Sequence, residues 1–98
     1  APTAAGPFAE TLMQIAQNPE LLASGIWHYG TSGPTNWYDF AQAIFAHKKM
    51  IVAVTPCGTD AYPTPAKRPA YSYLDPFPLM NALGREPEHW KEQMRRIL

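Results

Sequence analysis

Lys67 and Arg68 are the side chains whose types and setting best suit them to chemistry. They lie in the run Tyr62-Pro63-Thr64-Pro65-Ala66-Lys67-Arg68-Pro69-Ala70-Tyr71-Ser72-Tyr73-Leu74-Asp75. Proline fixes φ, so a loop carrying Pro63, Pro65 and Pro69 has less entropy to lose when a ligand binds. The arginine fork matches phosphate oxygens, and lysine adds a point charge. Tyr62, Tyr71 and Tyr73 are placed to flank a base or a sugar. The plainer reading of the same residues is two solvated charges and three packing aromatics.

Other chemistry lacks the residues it needs. A dinucleotide-binding turn requires G-x-G-x-x-G between a strand and a helix, and the middle of that pattern is missing around Gly30 and Gly33. There is no Walker loop, H-E-x-x-H or G-x-S-x-G, and no tyrosine is followed four residues later by lysine. His28, His47 and His89 show no metal-site spacing, so a structural or surface role is the ordinary reading for each. Ser24, Ser32 and Ser72 lack a nucleophile signature. The single Cys57 supports neither an internal disulfide nor a metal set. No catalytic and no metal-ligating residue is therefore assigned.

Bulk composition narrows the class further. The chain has 98 residues, 46% of them hydrophobic, which suits one small folded domain over residues 1–98. Net charge is zero, which argues against a dedicated nucleic-acid or membrane binder. All eight basic residues fall between Lys48 and Arg96, so any anion site draws its cations from the second half. No apolar run reaches the length of a membrane span and no signal peptide is evident, making a reducing cytoplasm the expected setting. A first residue of Ala1 suits a processed chain or an excised piece.

The elements that must position Arg68 follow from periodicity and punctuation. A first helix is expected from residue 4 or 7 to 17, with Phe8, Leu12 and Ile15 on one face and Asn18-Pro19 stopping it. Gly25-Ile26-Trp27-His28-Tyr29-Gly30 suits a short strand with Trp27 and Tyr29 on one face. Asn36 is a good N-cap for a second helix over residues 37–47, with Asp39 completing a near capping box. Phe40, Ala41, Ile44 and Phe45 should face inward. Trp37 suits either a pocket mouth or, more commonly, packing. Residues 50–55 are β-branched and apolar and suit a second strand. A short helix is expected over residues 76–83, ended by Gly84. A last helix opens with Pro87 at its first position and carries Trp90, Met94, Ile97 and Leu98 on its apolar face. Glu92 and Arg96 are spaced for an i, i+4 pair. Two strands are too few for an independent sheet. The class is α/β, with about four helices, two or three short strands and no complete Rossmann domain.

Taken in order, these residues resemble the C-terminal third of dTDP-4-dehydrorhamnose reductases. The likeness is carried by Gly25-Ile26-Trp27-His28-Tyr29, by Trp37-Tyr38-Asp39-Phe40-Ala41, and by Tyr62-Pro63-Thr64-Pro65-Ala66-Lys67-Arg68-Pro69 with Ser72 and Leu74-Asp75. His89-Trp90 and Arg95-Arg96-Ile97-Leu98 complete it, and Ala1-Pro2-Thr3 resembles the family's entry into this region. Asp75-Pro76-Phe77-Pro78-Leu79 and Gly6-Pro7 depart from the family pattern. The resemblance implies the substrate-binding part of an extended short-chain dehydrogenase/reductase, not catalytic alone. NADPH and the Tyr-x-x-x-Lys pair would belong to an N-terminal Rossmann domain outside these residues, and no cofactor is expected on this chain. It implies a dTDP-sugar as ligand and a possible homodimer in the parent. In related enzymes an Arg in the corresponding segment contacts the nucleotide diphosphate, which assigns that role to Arg68 with Lys67 as its neighbour. Two alternatives share the fold: a non-catalytic regulatory subunit, and a fragment of a nucleotide-sugar epimerase or dehydratase.

Overall fold

A computed structural model describes residues 1–58, 65, 66 and 68–98. The chain divides into two compact units, Ala1–Pro34 with Leu74–Leu98, and Thr35–Tyr73.

The first unit holds three helices. α1 spans Ala5–Gln17. Pro7 sits in its first turn, where a missing N–H costs no intrahelical bond. No side chain caps this helix at its start. Instead the Ala4 N–H, just ahead of it, donates to Gln93 Oε1 at 2.8 Å. The helix stops at Asn18, ahead of Pro19, as the sequence predicts, and a short 3-10 turn follows at Pro19–Leu21.

After α2, Trp37–His47, of the other unit comes α3, Phe77–Ala82, entered through the buried Pro76, with Asp75 Oδ1 accepting from the Phe77 N–H at 3.0 Å. It ends in a Schellman motif. Gly84 has φ of 69°, its N–H reaches Asn81 O at 3.1 Å, and the Arg85 N–H reaches Met80 O at 2.8 Å. The glycine expected to stop this helix does so by adopting the left-handed conformation.

α4 spans Trp90–Ile97, three residues later than a start at Pro87 would give. The cause is a tertiary contact. Ser32 and His89 form a parallel bridge, in which the Ser32 N–H donates to Glu88 O at 2.9 Å and the Trp90 N–H to Ser32 O at 3.1 Å. Held this way, Glu88 and His89 cannot take helical dihedrals, and His89 becomes the N-cap.

Leu79, Met80 and Leu83 form a buried cluster, with Ile15, Leu22, Trp27 and Tyr29 packed against it. Trp90, Met94 and Gln93 are the buried residues of α4, whereas Ile97 and Leu98 are half exposed. The apolar face of this helix is thus shorter than the sequence suggests. Among the described residues the expected strands are absent: the isolated Ser32–His89 bridge is the only strand-type pairing. Residues 25–30 nonetheless keep the predicted alternation, with Trp27 and Tyr29 turned to the core cluster and His28 exposed. The period is that of a strand, but no neighbouring chain supplies the ladder.

The second unit is built on α2, Trp37–His47, the bounds expected from sequence. Asn36 Oδ1 accepts from the Asp39 N–H at 2.8 Å, and Asn36 Nδ2 donates back to Asp39 Oδ2 at 3.2 Å. Phe40, Ala41, Ile44 and Phe45 are half-buried, whereas Trp37 is 83% exposed among the described residues and meets the Phe40 ring at 6.0 Å between centroids. The helix also ends in a Schellman motif, with Lys49 at φ 56° where glycine is usual. The Met50 N–H reaches Phe45 O at 2.8 Å and the Lys49 N–H reaches Ala46 O at 3.2 Å. Residues 50–55 form no strand with any described residue, and Met50, Ile51 and Val52 are exposed.

Candidate functional site

Arg68 lies in the second unit, just after a bend at residues 65 and 66. Its side chain is exposed and makes no ion pair or hydrogen bond among the described residues. Its guanidinium therefore keeps its donors available to an incoming oxyanion. Lys67, Tyr62, Pro63 and Thr64 lie outside the described residues. Beyond Pro69, Tyr71 and Tyr73 meet edge to face, with ring centroids 6.2 Å apart and planes at 62°. Tyr71 is 69% exposed and Tyr73 half-buried, so one ring offers an open face beside the other. An exposed fork followed by an aromatic pair can hold a phosphate and stack on a ring.

The first unit contains two open clefts, and Arg68 lines neither. One, of about 340 Å³, is apolar and lined by Phe8, Leu12, Ile15, Trp27, Tyr29 and Leu74 among others. Phe8 stacks on Tyr29 here, with centroids 4.8 Å apart. Phe8, Leu12 and Ile15, which the spacing places on one face of α1, thus line a cleft, and Pro7 and Thr11 are the buried residues of the helix.

The second cleft, of about 210 Å³, is polar. In it Glu88 takes a two-point contact from Arg96: Nη2 lies 2.8 Å from Oε1 and Nε 3.2 Å from Oε2. Gln93 Nε2 adds a donor to Oε1 at 3.1 Å. The Arg96 hydrogen bond, against some burial, holds the Glu88 carboxyl below its ordinary range, and the Glu88 carboxylate raises Arg96 in return. Gln93 is 4% exposed and passes the chain of contacts on to the Ala4 N–H, so this network ties the start of α1 to α4. Arg85 makes a parallel tie, with Nη1 donating to Thr11 Oγ1 at 3.1 Å and to Gln14 Oε1 at 3.2 Å. Sequence spacing pointed to Glu92 as the partner of Arg96. The partner is Glu88, eight residues back, which no helical spacing could reveal because Glu88 lies outside the helix. No helix among the described residues is long and apolar enough to cross a membrane.

Among the described residues the architecture is thus helical, with one isolated strand-type bridge and an exposed cation and aromatic pair. Across residues 1–98 the sequence matches the family described as RmlD substrate binding domain, and the chain belongs to that family. Among curated proteins it is 38% identical to a dTDP-4-dehydrorhamnose reductase of Aggregatibacter actinomycetemcomitans, over 98% of this chain and 36% of that protein. It is 34% identical to the spore coat polysaccharide biosynthesis protein SpsK of Bacillus subtilis (strain 168), over 99% of this chain and 32% of that one. The dTDP-4-dehydrorhamnose reductase of Escherichia coli (strain K12) is 30% identical, over 100% of this chain and 36% of its own length. The chain therefore spans about a third of the length of these relatives. No solved structure matches it significantly.

Proposed function

We propose that this chain is the substrate-binding part of an NADPH-dependent dTDP-4-dehydrorhamnose reductase, acting in dTDP-L-rhamnose biosynthesis. The observation that carries the reading is the family match over residues 1–98, joined to reductase relatives that extend well beyond the matched region. The chain has no glycine-rich turn for a dinucleotide, so NADPH does not fit these residues, and its binding and the hydride step belong to the rest of a parent protein. What this chain contributes is grip. Arg68 holds the diphosphate of the dTDP-sugar, with Lys67 adding charge, and Tyr71 is available to the nucleotide's ring or sugar. An exposed guanidinium with unspent donors supports that role.

Titrating the chain with dTDP while following thermal unfolding tests this directly, because a ligand that binds only the folded state raises its apparent stability. The midpoint should rise with dTDP and should rise far less in Arg68→Ala, where loss of a charged hydrogen bond weakens binding by about 1.5–3 kcal/mol. An equal rise in the two proteins would reject Arg68 as the diphosphate ligand. In the intact parent, turnover of dTDP-4-dehydrorhamnose with NADPH distinguishes a reductase from a non-catalytic partner or an epimerase.

A further inference from the structure

We propose that residues 25–30 are a strand awaiting its neighbour, and that an extended, apolar segment of the parent protein lying outside residues 1–98 pairs with its open edge. The proposal rests on the reading above only in placing this chain within a longer protein. It is independent of Arg68 and of dTDP.

The first observation is a row of unused backbone groups. Trp27 and Tyr29 turn to the core cluster and His28 is exposed, which is the alternation of a pleated strand. Yet no backbone N–H or carbonyl from Ile26 to Gly30 makes a hydrogen bond among the described residues. Backbone donors and acceptors require partners, and a strand edge presents them as a template for another strand. The Ser32–His89 bridge distinguishes the two edges. In an extended segment both backbone groups of one residue point to one edge, and those of the next residue to the other. Ser32 directs its N–H and its carbonyl to Glu88 and Trp90. The even-numbered residues therefore share the bridged edge, and Trp27 and Tyr29 present their groups to the opposite one.

The second observation is the apolar surface beside that edge. Trp27 and Tyr29 line the apolar cleft together with Phe8, Leu12 and Ile15 of α1. Phe8 and Leu12 are 40% and 50% exposed, and Ile26, on the other face of the segment, is 89% exposed. A strand laid along the open edge would set alternate side chains on the face of Trp27 and Tyr29, across Phe8 and Leu12. A helix and a sheet cover each other in this way. Its remaining side chains would extend the face of Ile26. Apolar residues on both faces mark a strand buried within a larger sheet. The source of the neighbour follows from length. The chain spans about a third of its relatives, so most of a parent's polypeptide lies outside it.

Amide exchange followed by NMR in this chain and in the intact parent tests the pairing. In the chain alone, the Trp27, His28 and Tyr29 amides should all exchange fast. In the parent, Trp27 and Tyr29 should slow at least about tenfold, the factor worth roughly one hydrogen bond, while His28 stays fast. Equal rates for Trp27 and Tyr29 in the two proteins would overturn the proposal. Uniform slowing of all three would do the same, because it signals burial without a one-sided ladder. Slowing in the chain alone that grows with its concentration would make a second copy the occupant and sink the assignment to the parent. Leu12→Ser adds a separate readout. Its melting temperature should fall more in the parent, where the proposed strand covers Leu12, than in the chain, where Leu12 is half exposed. An equal fall in both would count against the covering strand. A failed dTDP titration rejects Arg68 as the diphosphate ligand and leaves each of these readouts standing.

Discussion

At the scale of single residues, close approaches and charge pairs do more than composition suggests. Gly33 combines a left-handed φ with an imidazole where a Cβ would stand, so Gly33→Ala should cost about 1–3 kcal/mol in urea unfolding. Part of that cost should return in the double variant with His89→Ala, which removes the collision but not the backbone strain. A loss no smaller in the double variant would show that the ring is not the obstacle. The Glu88–Arg96 pair makes a separate forecast. The folded Glu88 carboxyl lies below its ordinary value of 4.5, so its contribution to stability is fully present above that value. It is lost as pH falls through the lowered folded value. The melting temperature of Glu88→Gln should therefore sit below wild type at neutral pH and converge with it in acid. The pair is largely solvent-facing, so the gap should be small and should shrink with salt. Neither feature was legible in the sequence. Gly33 shows there only as part of an incomplete glycine pattern, and Glu88 sits eight residues from its partner across a helix start.

At the scale of elements, local signals were read well wherever the chain itself supplies the partner. Asn36 with Asp39 bounded α2, Asn18-Pro19 ended α1, and Gly84 ended α3, because each of these devices is closed by neighbours in sequence. Elements that need a distant partner were read less well. α4 begins late because Ser32 holds Glu88 and His89, and residues 25–30 alternate like a strand without a ladder. The candidate site divides the same way. Arg68 stands out in the sequence by its proline-rich setting, and its proposed role awaits the dTDP titration, whereas the two clefts of the first unit depend on tertiary packing and left no sequence signal. The helix ends also yield a direct test. Lys49 occupies a left-handed position that favours glycine, a conformation costing a non-glycine residue roughly 1–2 kcal/mol. Glycine gives back part of this through its more disordered unfolded state. Lys49→Gly should therefore stabilise by up to about 1 kcal/mol in urea unfolding. Destabilisation would mean that the Lys49 side chain contributes more than its backbone strain costs. By contrast Leu79→Ala, at 4% exposure in the central cluster, should lose about 2–5 kcal/mol.

At the scale of the whole molecule, burial is unevenly shared. Every described residue that is buried belongs to the first unit, including Leu79, Met80, Leu83, Trp90 and Met94. In the second unit α2 has none, and its apolar side chains are at most half-buried. Ordering a residue costs roughly 1–2 kcal/mol of backbone entropy wherever it lies, and apolar burial is the main term that offsets it. The second unit therefore opens more easily than the first, and it is the unit that carries Arg68. Native-state hydrogen exchange in rising urea should show the amides of α2 opening at a lower free energy than those of residues 93 and 94 in α4. The gap should be about the worth of one fully buried side chain, roughly 1.5–3 kcal/mol. Adding dTDP should narrow it if Arg68 binds the diphosphate, because the ligand then stabilises the weaker unit directly. Coincident exchange of the two helices without ligand would mean that the chain unfolds as one cooperative body, and that the missing core of the second unit is supplied by contacts that burial within it does not reveal.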